Sequence, residues 1–202
     1  MHNIYIAGTG IWHPEEKISN NEIVNSYNSY AEKFNQENKL EIEKGTLIAM
    51  ELSSAEFIEK ASGIKSRYVI DKEGILDINR MMPRVKNEHP DRLSIHAEIG
   101  IEAAKKAMIQ ANVTPNEIDA VIIGTSHAAR NYPAVAIEIQ QELGINGYAY
   151  DMLVGCSSTT FAINNAYSDI ASGLANSVLV INPEVSTPFV NFTHRDKHFI
   201  FG

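Results

Sequence analysis

The second half of the chain alternates short apolar runs with helix-like patterns. The runs "DAVIIG" at 119–124, "YAYDMLV" at 148–154 and "NSVLVI" at 176–181 predict buried strands. The segment "PAVAIEIQQELG", which Gly144 should end, and the segment after Cys156 predict helices between them. The order strand, helix, strand, helix, strand predicts an α/β fold with right-handed crossovers and a mainly parallel sheet flanked by helices.

The first half predicts helices from capping signals. Ser19 and Glu22 form a capping box, as do Ser53 and Glu56, and Gly63 should end the second of these helices. Each box places a hydroxyl and a carboxylate where they satisfy the first backbone N–H groups of a helix. We therefore expect helices after residues 19 and 53.

Three further segments complete the expected element order. The opening "NIYIAGTGI" predicts a buried first strand. Between Leu93 and Ala111 an apolar residue recurs every four positions from Ile95 onward, which predicts a long amphipathic helix packed on the sheet. Residues 71–92 mix charge, glycine and proline without a period, and we expect a surface excursion there.

Composition limits the classes of protein to consider. The 202 residues are 44% apolar and contain no Gly- or Ser-rich linker, which predicts one α/β unit. The net charge of -8, with scattered Lys and Arg, argues against a nucleic-acid partner. A single cysteine, no secretory signal and no apolar run near 20 residues predict a cytoplasmic protein without a membrane span. The sequence contains no metal or dinucleotide motif, so we expect no metal and no cofactor.

The one cysteine lies in "YDMLVGCSSTTFAINNA", residues 150–166. If a strand precedes it and a helix follows, Cys156 lies on a tight turn at the N-terminus of that helix. Backbone N–H groups and the helix dipole would then favour the thiolate and lower the pKa of the thiol. The alternative is structural, because a free cysteine often serves as a small buried hydrophobic residue.

Five ordered segments carry a family resemblance. They are "NIYIAGTGIWHPEEKISNNEI", "FIEKASGIKSRYV", "DAVIIGTSHAARNYPAVAIEIQQELGI", "YDMLVGCSSTTFAI" and "FIFG". Together they resemble the N-terminal half of β-ketoacyl-acyl-carrier-protein synthase III, of the thiolase superfamily. The resemblance implies one thiolase-like half-domain over residues 1–202, with extra stretches near 30–50 and 74–92. It also implies that the chain is truncated and that the C-terminal half is absent.

The resemblance implies a chemistry for Cys156. In this family a primer acyl group moves from a thioester to the cysteine, and malonyl-acyl-carrier protein then attacks it in a decarboxylative Claisen condensation. Covalent capture divides one difficult step into two easier ones, and the cysteine N–H contributes to an oxyanion hole. The family's catalytic histidine and asparagine would lie beyond Gly202. We therefore expect this chain to accept an acyl group and to be incomplete for condensation.

Three further residues acquire expected roles from the resemblance. Phe57 stands where many members stack a tryptophan on the adenine of coenzyme A, and Ala61 stands where an arginine follows. Arg195 aligns with the family's other nucleotide-contacting arginine. Tyr132 aligns with an aromatic residue that crosses the dimer interface and limits the acyl pocket, which implies a homodimer. Because Phe57 and Ala61 depart from the family pattern, acyl-coenzyme A and acyl-carrier-protein thioesters, including longer acyl chains, both remain open as donors.

Two other functions remain open at this stage. A related thiolase-fold acyltransferase would form an ester or amide through the same cysteine. A non-catalytic half-thiolase binding module would instead pair with a partner chain through an unpaired strand edge expected at "HFIFG".

Overall fold

The computed structural model describes residues 3–84 and 91–201, which form two compact units. The helical unit holds residues 14–84 and 186–201, and the sheet unit holds residues 3–13 and 91–185. The sequence predicted a single unit because no linker is visible in it. No linker is visible because each unit is assembled from two segments that are separated in the sequence, so no single boundary divides the chain.

The helical unit contains four helices and a small antiparallel pair of strands that the sequence did not predict. In chain order its elements are β1 (Lys17–Ser19), α1 (Asn20–Glu37), α2 (Lys39–Glu43), α3 (Ala55–Ser62), β2 (Ser66–Tyr68) and α4 (Lys72–Leu76). Strand β1 pairs with β2, with Ile18 opposite Arg67. The extra stretch expected near 30–50 therefore contains the end of α1 and all of α2.

The capping predictions are confirmed at α1 and shifted by one residue at α3. The Ser19 side chain accepts from the Glu22 N–H, and the Glu22 carboxylate accepts from the Ser19 N–H, which is the predicted box. At α3 the residue that caps the helix is Ser54, whose hydroxyl accepts from Phe57, and the predicted Ser53 is buried one position earlier. Gly63 ends α3 as predicted, in the left-handed conformation with φ of +75°.

The predicted surface excursion at 71–92 is wrong in part. It contains α4, and both Ile75 and Met81 are buried in a cluster with Ile23 and Tyr27 of α1. These two apolar residues are too far apart to show a period, yet each reaches the core of the helical unit. Residues 85–90 of this stretch lie outside the described residues.

The sheet unit has the predicted parallel sheet. Its elements are α5 (Ile95–Ala111), β3 (Ala120–Thr125), α6 (Val135–Leu143), β4 (Tyr148–Leu153), α7 (Ser158–Ala171) and β5 (Val178–Ile181). The strand order is β4-β3-β5, and both pairings are parallel. All of β3 is buried, because its side chains alternate between two covered faces. Val121 and Ile123 meet α5 and α6 on one face, and Ile122 meets α7 on the other.

The predicted first strand does not form. Residues 3–14 have no regular secondary structure, and Tyr5 and Ile6 are exposed. The segment lies along α5, where a Cβ on Gly10 would come within 2.1 Å of the Ala103 carbonyl oxygen. Lys106 Nζ also donates to the Ile11 carbonyl oxygen at 2.8 Å. An apolar run becomes a strand only where a neighbouring strand accepts its backbone bonds, and here the run meets a helix.

Helix α5 is present as predicted, but its most buried face is not the one that the sequence predicted. The predicted positions, every fourth residue from Ile95, are only half-buried. The buried apolar positions lie beside them and pack on the sheet and on α6; they are Ala97, Ile101, Ala104 and Met108. Spacing alone did not separate the stripe that contacts the sheet from the stripe beside it.

The unpaired strand edge expected at "HFIFG" is also absent from the described residues. Residues 198–201 form turns and bends. Arg67, which is 2% exposed, fixes this segment: its Nε donates to the Phe201 carbonyl oxygen at 3.1 Å and its Nη2 to that of His198 at 2.5 Å. Desolvation lowers the pKa of Arg67 to about 10.

Candidate active site

Cys156 lies on the turn that the sequence predicted. Strand β4 ends at Leu153, a 3-10 turn spans Gly155–Ser157, and α7 follows at once. Gly155 has φ of +58°, a conformation that glycine adopts without steric cost. The cysteine is exposed, so it does not fill a gap in the core of the sheet unit. Its position is the carboxyl end of a parallel strand, where α/β proteins commonly place reactive groups.

The turn is fixed by the buried hydroxyl of Ser158. This Oγ accepts from the Val154 N–H at 2.7 Å and lies 2.8 Å from the carbonyl oxygens of both Thr125 and Gly155. The Ser158 side chain, which follows Cys156, thus joins Val154 and Gly155, which precede it, to Thr125 at the end of β3. The neighbouring Gly124 is also required, because a Cβ there would lie 2.8 Å from the Ser158 carbonyl oxygen.

A carboxylate of the same strand fixes the start of α6. The two Asp151 oxygens accept from the N–H groups of Val135 and Ala136, each at 2.8 Å. The residue at the N-cap position, Ala134, has no side chain that could do this. Asp151 is therefore both part of the strand that leads to Cys156 and the cap of a neighbouring helix.

Tyr132 lies in the loop of residues 126–134 and its side chain is 86% exposed. The loop is anchored by a buried ion pair between Arg130 and Glu138 of α6. The Glu138 carboxylate also accepts from the hydroxyl of Ser94, and Arg130 Nη2 donates to the Arg92 carbonyl oxygen at 3.0 Å. A buried charge is tolerated when it is paired and hydrogen-bonded, as it is here. The loop thus presents an exposed aromatic ring from a fixed base.

A polar cluster follows the end of β3 in the same unit. Ser126 donates its backbone N–H to Glu184 at 3.0 Å, and His127 Nδ1 lies 3.3 Å from the same carboxylate. The ring of His96 meets that of His127 edge to face, with 5.1 Å between centroids. Burial, together with the nearby His127, lowers the pKa of His96 to about 4. His96 is thus neutral at neutral pH.

Phe57 and Arg195 are brought together in the helical unit. The Arg195 Cζ lies 4.0 Å from the centroid of the Phe57 ring, a cation–π contact. The edge of Phe199 meets the same ring, with 5.7 Å between centroids. Arg195 Nη1 also donates to the Glu51 carboxylate at 2.9 Å. The predicted pair of binding residues therefore forms a small stacked surface, with an acidic neighbour that the sequence analysis did not identify.

Comparisons with known proteins identify the family that this chain resembles. Residues 150–202, which include Cys156, match the family model described as 3-oxoacyl-[acyl-carrier-protein (ACP)] synthase III. The chain is 48% identical over 177 residues to a β-ketodecanoyl-[acyl-carrier-protein] synthase of Pseudomonas aeruginosa, covering 88% of this chain and 51% of that protein. A β-ketoacyl-[acyl-carrier-protein] synthase III of Rhizobium meliloti is 31% identical over 151 residues, or 74% of this chain and 41% of that one. Over most of its length, the chain is therefore similar to members of the 3-oxoacyl-[acyl-carrier-protein] synthase III family.

Solved structures show that the chain has a thiolase-like fold. The crystal structure of 3-oxoacyl-[acyl-carrier-protein] synthase III from Aquifex aeolicus superposes with a TM-score of 0.69 and 26% identity, covering 98% of this chain and 50% of that one. The priming β-ketosynthase of the R1128 polyketide pathway, with a TM-score of 0.70 and 24% identity, is similar in fold over 98% of this chain and 46% of its own. The chain thus spans about half the length of the proteins it matches. Among the described residues, no helix is long and apolar enough to cross a membrane.

Sequence reasoning about this chain missed the residues that hold the candidate site in place. Ser158 is one of four consecutive hydroxylated residues, and nothing in the sequence distinguishes it from its neighbours. Asp151 and Glu138 did leave a signal, because each is an acidic residue within an otherwise apolar run. A charge at such a position indicates a buried partner.

Proposed function

We propose that Cys156 is the nucleophile that accepts a primer acyl group in a decarboxylative condensing acyltransferase. The observation that carries this proposal is the exposed cysteine on a fixed turn at the carboxyl end of β4, within the segment that matches the synthase III family. The turn leaves the sulfur accessible while its backbone stays in place. This arrangement suits a group that must attack a bulky thioester.

The proposed chemistry has two steps. The Cys156 thiol loses its proton, the thiolate attacks the carbonyl carbon of an acyl thioester, and the bond to the carrier sulfur breaks. The carrier leaves as a thiolate and takes up the proton that Cys156 lost. Malonyl-acyl-carrier protein then loses carbon dioxide, and the resulting enolate carbon attacks the acyl-cysteine. A carbon–carbon bond forms, and Cys156 leaves as the thiolate. Backbone N–H groups at the turn would stabilise the oxyanion in each attack.

The relatives suggest the class of primer and the pathway. The Pseudomonas aeruginosa relative is named for a β-ketodecanoyl product. Because the malonyl unit adds two carbons after decarboxylation, such a product requires an eight-carbon primer. We propose a medium-chain acyl thioester as the primer here, within fatty-acid or related polyketide biosynthesis. Acyl-carrier protein would be the partner that delivers malonate, in the cytoplasm.

Phe57, Arg195 and Tyr132 are proposed to bind substrate. The stacked Phe57–Arg195 surface would contact the donor's carrier group, and Tyr132 would border the acyl pocket across a homodimer interface. Two features support these roles: Arg195 lies on the face of an aromatic ring, and Tyr132 projects from a loop with a buried anchor. An exposed aromatic ring on a fixed base is typical of residues that contact a partner.

Intact-protein mass spectrometry tests the proposal. The wild-type chain is mixed with coenzyme A and acyl-carrier-protein thioesters of two to twelve carbons, and the mass added to the protein is measured. We expect an acyl adduct with a medium-chain preference on the wild type and on the matched control Ser157→Ala. The adduct should be absent from Cys156→Ala. Circular dichroism of each variant verifies that it is folded.

Three outcomes would contradict the proposal. An adduct that persists in Cys156→Ala would place the acyl group on another side chain. No adduct from any donor on the folded wild type would instead favour the binding-module interpretation. Transfer to an alcohol or amine acceptor, in place of a malonyl thioester, would favour the ester- or amide-forming acyltransferase.

A further inference from the structure

We infer that Glu51 is a specificity residue that lowers the affinity of the Arg195 surface for donors carrying a phosphorylated nucleotide. The inference rests on the proposed function, because it concerns how the acyl donor of Cys156 is chosen. It commits to one ligand chemistry, the nucleotide phosphates of an acyl-coenzyme A. A donor without a nucleotide should be unaffected.

The planar face of Arg195 is already occupied. Its Cζ lies 4.0 Å from the Phe57 ring centroid, so the guanidinium stacks on the aromatic ring. In this orientation the N–H groups at the edge of the guanidinium are what remain for an anion. The Phe57 ring is also partly covered, because Phe199 meets it edge-on at 5.7 Å between centroids. A purine base would therefore compete with Arg195 for the Phe57 ring.

The edge of Arg195 is occupied as well. Its Nη1 donates to Glu51 Oε2 at 2.9 Å, which is a charge-assisted bond of the kind a phosphate would make. The Glu51 backbone is held in position, since the Tyr27 hydroxyl donates to its carbonyl oxygen at 2.9 Å. Within the described residues the buried Arg195 Nε has no hydrogen-bond partner, so a donor group on the guanidinium remains unsatisfied. Glu51 thus neutralises Arg195 without satisfying it.

The carboxylate of Glu51 acts as a weak competitor. Its side chain is 80% exposed, and that of Arg195 is 31% exposed. Exposed ion pairs are weak because water screens them. An incoming phosphate can therefore displace Glu51, but it must also approach a negative charge. The expected bias against nucleotide donors is small, roughly two- to fivefold in the rate of acylation at low donor concentration.

The experiment compares two donors with the same acyl group, octanoyl-coenzyme A and octanoyl-pantetheine. The second lacks the nucleotide. The second-order rate of Cys156 acylation is measured by intact-protein mass spectrometry for the wild type and Glu51→Gln. We expect Glu51→Gln to raise the rate with octanoyl-coenzyme A roughly two- to fivefold and to leave the rate with octanoyl-pantetheine unchanged.

Two control variants separate a local effect from a general one. Glu32→Gln makes the same charge change at an exposed position of α1, and it should alter neither rate. Arg195→Met should remove the effect of Glu51→Gln, so that the two substitutions are not additive. Equal acceleration with both donors, an equal effect of Glu32→Gln, or full additivity with Arg195→Met would each overturn the inference.

A binding measurement keeps the inference independent of acylation. If neither donor acylates the wild type, the proposed function fails, and calorimetric titration with free coenzyme A still tests Glu51. Glu51→Gln should then bind coenzyme A roughly two- to fivefold more tightly than the wild type. Equal dissociation constants would overturn the inference about Glu51.

Discussion

The turn that carries Cys156 and the surface formed by Phe57 and Arg195 are held in place by different kinds of interaction. The turn depends on hydrogen bonds between the buried Ser158 hydroxyl and backbone atoms, and the strand that leads to it is joined to α6 by the Asp151 carboxylate. The Phe57–Arg195 surface depends on contacts between partly exposed side chains. The comparison teaches that the position of the proposed nucleophile is fixed by the fold of the sheet unit, whereas the proposed binding surface is set by a few replaceable side chains.

The largest expected effect comes from breaking the buried ion pair of the sheet unit. Glu138→Gln removes the carboxylate from a pair whose side chains are 14% exposed at Arg130 and 4% exposed at Glu138, and loss of one partner of a buried pair costs about 3–5 kcal/mol. Urea unfolding should report that loss in the free energy of unfolding. The matched variant in the helical unit is Glu51→Gln, which should cost under about 1 kcal/mol because its pair is exposed. Equal losses would remove the distinction between the two regions.

Ser158→Ala tests how the turn is held. The change removes the hydroxyl that contacts Val154, Thr125 and Gly155, so three backbone groups lose a hydrogen bond, and that of the Thr125 carbonyl is buried. We expect a loss of about 2–3 kcal/mol in the free energy of unfolding and a slower acylation of Cys156. Ser168→Ala, an exposed position on α7, is the control and should change neither quantity. Normal acylation in a destabilised Ser158→Ala variant would show that the turn does not need this clamp.

The smallest of the three effects concerns pH. Folded His96 has a pKa of about 4, below the ordinary 6.5, so the unfolded chain binds a proton between these values that the folded chain does not bind. Stability should therefore fall as pH is lowered, by about 1–2 kcal/mol between pH 7 and pH 5. Urea unfolding at several pH values measures the slope. His96→Phe should flatten it and the exposed His194→Asn should not; an unchanged slope in His96→Phe would assign the dependence to other groups, such as His198 in the helical unit.

The sequence predicted elements whose signals are local. The capping box at Ser19, the stop at Gly63 and the alternation that produced the parallel sheet all depend on residues close together in the chain. The turn at Cys156 was predictable for the same reason. The predicted first strand was wrong because the conformation of this segment depends on contacts with α5, which is distant in the sequence. Gly8 and Gly10 pack closely against small residues of that helix.

Long-range partners explain what was missed in the candidate site. Glu51 lies 144 positions from Arg195 in the sequence, and Ser158 reaches Thr125 across 33. No spacing rule connects such residues before the fold is known. The family resemblance supplied Phe57 and Arg195, yet it gave no indication of Glu51, which follows directly after the extra stretch near residues 30–50.

The double role of Asp151 has a consequence for redesign. Its carboxylate joins β4 to the first turn of α6, while Thr125 ends β3 beside Ser158. Both ends of the 126–134 loop are therefore attached to the framework that also carries the cysteine. If Tyr132 borders the acyl pocket as proposed, the loop around it can be varied to accommodate acyl chains of other lengths, while the residues that attach the loop at either end are left unchanged.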